Sequence, residues 1–495
     1  MPDYMFLLQS RLSSEQHGAL TRLREAAQSQ TVNLYLTGGA VRDLISGAPI
    51  RDLDFTVEGN PTGMIREMEK AGARLVSENS KLREAELLFP GDVSASLSAA
   101  REELYELPGA RPEVRWATIM DDLRRRDFSI NAVAISLNAA SRGLLLDPTN
   151  GLADIERKEV RALSIHCFTN QPVRLLRVLR FSARLGFAIE SRTKDWFDRA
   201  IERGLDKQIP TADVGAELRQ LGNEAHPAAI AKSWESHGFL TVIHKQLAKH
   251  RPDYDGLTRL GRAFEQISAA GLKVHMFAPM TWYLLRALKA RERVLLLHKL
   301  GLRAEEVASV SKLEAAAHDA TKALKSRQTE SAIDAYRFLD ALSRDIMAFV
   351  MAEHPDVRVG NKIRNYLQRW RPLRLSLPAA ELEALGVSRG PQFDRILEQL
   401  FERQLKGRGK AAIDRTRLLR QLAGIKPESK KPVEKKPAKR KAKAGAEKTP
   451  GGATAAKPGK DAPQEQASRR APAKAEKREH SARGRKDHTR AAAAH

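Results

Sequence analysis

Residues 32–57 constrain the fold of this chain more than any other stretch. Val32, Leu34 and Leu36 alternate as in a half-buried strand, Gly38-Gly39 interrupts them, and Ala40 to Ser46 carries helical spacing closed by Gly47. A second short apolar run then holds Asp52-Leu53-Asp54-Phe55. With a side-chain period of two, Asp52, Asp54 and Thr56 share one face while Leu53, Phe55 and Val57 pack on the other. Two hard oxygen donors therefore project side by side. Mg²⁺ takes one or two carboxylates and completes its shell with water and substrate phosphates, so Asp52 and Asp54 are the candidate metal ligands and catalytic groups, suited to an in-line displacement at phosphorus. The glycine step opens onto a helix N-terminus, where bare N–H groups and the helix dipole favour an anion. Without Cβ atoms, Gly38 and Gly39 let a triphosphate approach closely, and Arg42 adds a charge-assisted contact one turn in.

A second segment has the same flavour. On a helix beginning at Pro172, successive positions turn by about 100°, so Arg174, Arg177, Arg180 and Arg184 share one side, with Leu175, Leu176, Val178 and Leu179 opposite. Pro172 suits a first turn and Gly186 a C-terminal cap. Such a face is ordinarily just solvated; beside a phosphate site its guanidinium forks can meet phosphates and base edges. Arg126-Asp127, taken alone, reads as a salt bridge on a strand edge.

Leu34-Tyr35-Leu36-Thr37-Gly38-Gly39-Ala40-Val41-Arg42-Asp43 followed by Arg51-Asp52-Leu53-Asp54-Phe55 resembles the first motif of the class II tRNA nucleotidyltransferases and bacterial poly(A) polymerases, members of the DNA polymerase beta superfamily. The likeness continues through Arg124-Arg125-Arg126-Asp127-Phe128-Ser129-Ile130-Asn131-Ala132, similar to the segment that holds the ribose and triphosphate. It extends over Leu146-Asp147-Pro148 with Gly151, Asp154, Ile155 and Lys158, and over the helix from Arg174 to Phe187, which resembles the neck helix that reads the incoming base. Specific motifs cover about residues 30–190, and a looser likeness reaches about 410. The resemblance implies that Gly38, Gly39, Arg42, Arg126, Asp127, Asn131, Gln171, Arg174 and Arg177 bind nucleotide and that Asp52 and Asp54 hold Mg²⁺.

Two departures from the family bear on chemistry. Where most members have Glu-Asp before the neck helix, this chain has Asn170-Gln171-Pro172. The family's carboxylate accepts from the amino group of C or A while the partner arginine, here Arg174, addresses the ring nitrogen. A glutamine amide both accepts and donates; free to flip, it offers its NH₂ to the carbonyl of U or G, and relaxed base selectivity is the expectation. Ser96 stands where relatives commonly have an acidic residue, with Asp92 a candidate displaced substitute.

A chain of 495 residues is too long for one compact core. The resemblance and the pattern together imply an α/β nucleotidyltransferase head over 1–165, a helical neck over 166–270, a helical body and tail over 271–425 and a disordered basic segment over 426–495. A flexible loop is expected between 95 and 120. Beyond Arg174 the pattern is almost wholly helical, after β-rich stretches at Leu34, Phe55, Leu87 and Ile130. The formal net charge of +24 points to a polyanionic partner. Residues 426–495 hold 21 Lys and Arg against 8 Asp and Glu, with no Leu, Ile, Phe, Tyr, Trp or Met, a composition that cannot offset its ordering entropy by burial. Nonspecific attraction to phosphates is its expected use, a solubilising extension the alternative.

Cys167 is the only cysteine, which excludes a disulfide framework or a cysteine zinc site. No run of eighteen apolar residues exists, and Met1 to Ser14 lacks the order of a signal peptide, so a cytoplasmic protein without membrane contact is expected. Arg358, Lys362, Arg364, Arg369, Arg371 and Arg374 interleave with Tyr366 and Trp370, which suits either an RNA backbone with a stacking surface or aromatics buried under a basic helix. Leu385 to Pro391 resembles a turn near the C-terminus of family members, opening a helix towards tRNA phosphates. His318-Asp319 matches the dipeptide of metal-dependent phosphohydrolases but has no partner ligands and reads as incidental. The expected activity is template-independent addition of C and/or A, from CTP and ATP, to the 3′ end of tRNA; the alternatives are a poly(A) polymerase and a catalytically impaired RNA-binding descendant. No protein partner is implied.

Overall fold

The computed structural model describes residues 3–107, 109–353, 356–407 and 412–425; the basic segment 426–495 lies outside the described residues. Alternating apolar residues assemble a seven-stranded mixed sheet. Its strands are β1 (Asn33–Thr37), β2 (Leu53–Glu58), β3 (Arg74–Asn79), β4 (Glu84–Phe89), β5 (Val93–Ala99), β8 (Ala134–Ser136) and β9 (Leu145–Leu146), in the order β3-β4-β5-β2-β1-β8-β9. Two intervening strands, β6 (Arg101–Leu104) and β7 (Glu113–Trp116), pair with each other as a separate antiparallel ladder. Much of the stretch expected to be a flexible loop is thus built into β5 and this hairpin.

Leu34, Leu36, Leu53, Phe55, Val57, Leu87 and Leu97 turn to one side and join Val41 and Leu44 of the helix Gly38–Ser46, with Leu20 and Leu23 of the helix Ser14–Ser29, in one apolar core. β1 is not half-buried. Tyr35 packs on its other face with Ile119, Leu123, Ala132 and Ala134, so both faces of the central strand are covered. The parallel β2–β5 pairing places Asp54 opposite Ser96, and the antiparallel β4–β5 pairing places Ser96 opposite Glu86.

The glycine step differs from the expected turn. Gly38 and Gly39 form the first turn of the helix itself, with Gly38 at φ +65° and the helix closed by Gly47 at φ +82°. Ile130 is not in a strand. Asp127 Oδ1 accepts from the Phe128 N–H at 2.8 Å and from Asn131 Nδ2 at 3.0 Å, and this local bonding curls Ser129–Asn131 into a 3₁₀ turn ahead of β8.

From Cys167 onwards the elements among the described residues are helical apart from the two-residue strand Ala188–Ile189, which pairs with Glu159–Val160. The neck helix spans Arg174–Leu185 and ends at Gly186 in the left-handed region, φ +67°, as its pattern implies. Its apolar side, Leu175, Leu176, Val178 and Leu179, belongs to a second core that continues without a break from Phe128 to Phe401. Further along, Tyr366 is fully buried with its hydroxyl donating to Asp340 Oδ1 at 2.9 Å, and Arg374 is paired with Glu398. Tyr366 thus fits the reading of an aromatic buried under a basic helix, while Trp370 is half-buried. Among the described residues no helix is long and apolar enough to cross a membrane.

Candidate active site

A cleft of about 1800 Å³ lies between the head sheet and the helices, large enough for a nucleotide together with a second substrate. Gly38, Gly39, Asp52, Asp54, Ser96 and Arg126 line its head side; Gln171, Arg174 and Arg177 line its neck side. Arg42, Asp127 and Asn131 complete the set, so every candidate for nucleotide binding or metal ligation borders one cavity.

Asp54 is held from two sides. Its Oδ2 accepts from the Gly39 N–H at 3.0 Å and its Oδ1 from the Ser96 hydroxyl at 2.9 Å. A Cβ on Gly38 or Gly39 would stand 3.2 Å from Oδ2, which is why the carboxylate can sit against the helix start. Burial pushes the Asp54 carboxyl above the ordinary range, against the opposing pull of Ser96, Arg126 and Arg42. Asp52 lies just before β2, open to the cleft, and its side chain accepts no hydrogen bond from a neighbouring donor among the described residues. Its carboxyl is also pushed up, by the enclosing walls first and by the charge of Asp54 second. Ser96 thus acts as a donor to Asp54 rather than as a third acid. Asp92 is not its substitute: it sits on the β4–β5 turn at φ +56°, its backbone carbonyl accepts from Lys273 Nζ, and it does not line the cleft.

The arginines are more heavily committed than their pattern suggests. Arg42 Nη1 donates to Asn131 Oδ1 at 2.6 Å and Arg42 Nε to Asp43 Oδ1 at 2.9 Å, leaving it buried beneath the helix start rather than free for phosphate. Arg126 bonds Asp122 Oδ2 through Nε and Nη2, at 3.1 and 2.8 Å, and Thr56 Oγ1 at 3.1 Å. Arg177 joins Asp127 at 3.0 Å to Glu217 at 2.9 Å; Arg180 joins Glu217 at 2.9 Å to Glu224 at 3.0 Å; and Arg184 joins Asp43 at 2.7 Å to Glu224 at 3.4 Å. The neck's basic face is therefore an ion-pair seam against the head and the helix Thr211–Leu221. Arg174 is the exception. It is 6% exposed, its Nη1 reaches only the Cys167 carbonyl and sulfur, and its Nε is buried without a partner.

Asp127 anchors this seam. Burial alone would raise its pKa, but Arg177 and Arg174 outweigh that and hold it down at about 2. A depressed folded-state value means stability that is present above the unfolded pKa of 3.8 and lost as pH falls through about 2. We expect Asp127→Asn to cost about 2 kcal/mol near neutral pH. In denaturant titrations from pH 6 down to 2, the gap between the parent and the variant should close below about pH 4.

Sequence reading missed Ser96 as a donor, Asp122, Glu217, Glu224 and Tyr105. Glu217 alone left a trace: it shares the apolar face of its helix with Val214, Leu218 and Leu221, an unusual place for an acid without a buried partner.

Residues 34–161 match the family described as the poly A polymerase head domain. An A-adding tRNA nucleotidyltransferase of Geobacter sulfurreducens is 26% identical over 85% of this chain and 48% of its own length. The A-adding enzyme of Halalkalibacterium halodurans is 36% identical over 45% and 53%, and the CC-adding tRNA nucleotidyltransferase of Deinococcus radiodurans 32% identical over 47% and 61%. The chain thus spans about half the length of these curated relatives. A solved CCA-adding enzyme in an apo form covers 86% of this chain and 99% of its own, at 23% identity and a TM-score of 0.48. Residues 34–161 thus resemble the poly A polymerase head domain, and the relatives that share the likeness carry the names of tRNA nucleotidyltransferases.

Proposed function

We propose that this protein is a template-independent RNA nucleotidyltransferase that adds C and/or A, from CTP and ATP, to the 3′ end of tRNA with release of pyrophosphate. The observation that carries the reading is Asp54, held by the Gly39 N–H and the Ser96 hydroxyl, with Asp52 unpartnered beside it at the mouth of the cleft. The names of the relatives, A-adding and CC-adding tRNA nucleotidyltransferases, support the substrate.

The carboxylate pair fits a divalent cation. Both groups are hard oxygen donors, both are destabilised as anions where they stand, and no third acidic ligand gathers with them among the described residues. That suits Mg²⁺, which completes its shell with water and phosphate oxygens. When bound there, Mg²⁺ supplies Lewis-acid activation of the attacking 3′-hydroxyl and the phosphates.

The rest follows from the chain's own groups. The Gly39 N–H and Ser96 fix the direction of the Asp54 carboxylate, and Arg126 keeps positive charge beside it. Arg177, pinned by Asp127 and Glu217, holds the neck against the head, so both walls of the cleft keep their spacing. Arg174, with its unpartnered Nε, is the donor for a ring nitrogen, and Gln171 is the group for the exocyclic position. In this reading the head is residues 1–165, the neck 166–270 and the RNA-gripping body 271–425.

Purified full-length protein incubated with Mg²⁺, each labelled nucleotide, and tRNAs ending before the first or after the second C of the terminal CCA should extend tRNA with C or A. Extension of a poly(A) primer in preference to tRNA would favour a poly(A) polymerase, and no extension of any RNA would leave an impaired descendant. Gly38→Ala tests the approach to Asp54. An alanine at φ +65° costs about 1–2 kcal/mol, and its Cβ meets Oδ2, so incorporation should fall at least tenfold while circular dichroism stays unchanged.

A further inference from the structure

Gln171 faces the cleft, but its amide is tied from behind. Its Nε2 donates to the Tyr105 hydroxyl, which itself donates to Glu103 Oε2 at 2.5 Å. Glu103 Oε1 in turn accepts from Arg101 Nε and Arg125 Nη1, both at 2.9 Å. Tyr105 immediately follows β6, and beyond it Gly109, at φ +69°, donates its N–H to the Asn170 carbonyl at 3.1 Å. The loop end of the β6–β7 hairpin is thereby pinned against the residue that precedes Gln171.

This run of bonds has a direction. Burial would raise the Glu103 pKa, but Arg125, Tyr105 and Arg101 bring it below the usual carboxylate range, so Glu103 is an anion and only accepts. Tyr105 has a single proton. Burial and the charge of Glu103 push its hydroxyl well above the usual phenol value, so the proton stays, and it points at Glu103. Only lone pairs then remain to face Gln171. An amide carbonyl turned towards them would set oxygen against oxygen; the NH₂ therefore faces Tyr105, and Oε1 faces away from it.

We propose that Tyr105 is a specificity-determining positioning residue, whose hydroxyl, oriented by Glu103, locks the Gln171 amide with its carbonyl towards the incoming base. Held so, Gln171 accepts from the exocyclic amine of C or A and opposes the carbonyl of U or G. The inference rests on the reading of Gln171 and Arg174 as the base-reading pair. It reverses the expectation of relaxed selectivity, because that expectation assumed an amide free to flip, and this amide has a fixed acceptor behind it.

The test uses the full chain with Mg²⁺, by equilibrium binding of CTP, ATP, UTP and GTP and by incorporation of each on tRNA lacking its 3′ end. The parent protein should disfavour UTP and GTP. Tyr105→Phe keeps the ring and frees the amide, and should lower the preference for C and A by about tenfold, the loss of one correctly directed hydrogen bond, through tighter binding of UTP and GTP. Glu103→Gln leaves Tyr105 in place but releases its proton to turn towards Gln171, and should shift the preference the same way. Gln171→Glu in the Tyr105→Phe background should restore the preference, since a carboxylate accepts through either oxygen. An unchanged preference in Tyr105→Phe, with Gln171→Ala abolishing it, would refute the role of Tyr105 while keeping the base-reading pair. If Gln171→Ala also leaves the preference unchanged, the base-reading assignment fails and takes the inference with it.

Discussion

Asp52→Ala and Asp54→Ala are each expected to abolish nucleotide incorporation, by at least about a thousandfold, while RNA binding should stay close to that of the parent. A thousandfold corresponds to about 4 kcal/mol of transition-state stabilisation, within reach of a lost metal ligand. The two variants should differ in stability. Asp52 accepts no hydrogen bond from the fold, so its removal relieves the repulsion with Asp54 and is neutral or slightly stabilising. Asp54→Ala strands the Gly39 N–H and the Ser96 hydroxyl at a cost of about 1–3 kcal/mol. Asp54→Asn keeps an oxygen for the Gly39 N–H and should recover part of that stability without recovering turnover. Steady-state incorporation, filter binding of labelled tRNA and urea titration separate these effects. Wild-type turnover in either alanine variant would end the assignment of the carboxylate pair.

Glu217→Ala is the second large effect, and it is one of stability. Glu217 is 2% exposed and accepts from Arg177 on Oε1 and from Arg180 on Oε2, both at 2.9 Å. Its removal leaves two guanidinium groups short of a counter-charge, one of them fully enclosed, and breaking a buried pair from one side costs about 3–5 kcal/mol. Glu217→Gln keeps the shape and one acceptor and should cost less. The urea midpoint reads the difference. Because Arg177 also holds Asp127, the alanine variant should lose turnover by misalignment of head and neck before it unfolds. A variant as stable as the parent would show that the seam is a by-product of the fold rather than its support.

The parts of the site that could be read from sequence are those formed by neighbours along the chain. β1, the helix Gly38–Ser46 and β2 follow one another within a few turns, so the glycine step and the alternation of Asp52, Leu53 and Asp54 already imply an anion-binding helix start beside two carboxylates. The neck helix was legible to its C-terminal cap because its apolar and basic sides alternate with helical spacing. The misplaced details were local competitions: Asp127 curling Ser129–Asn131 away from a strand, and Gly38 entering the helix instead of preceding it.

By itself, then, the sequence determined the order of elements, the carboxylate pair, the helix-start cradle and the existence of a basic neck face. Tertiary structure alone decided what those charges do. Arg184 meets Asp43 across 141 positions and Gln171 meets Tyr105 across 66, so no spacing rule connects them. An arginine on a helix face reads the same whether it awaits a phosphate or is already paired. The difference arises only when distant segments are buried together, because removal from water compels each charge to find a partner, and the fold determines which one is within reach. Arg177, Arg180 and Arg184 find carboxylates and become structure, while Arg174 stays buried with its Nε unpaired, which is why we propose it as the donor to a base.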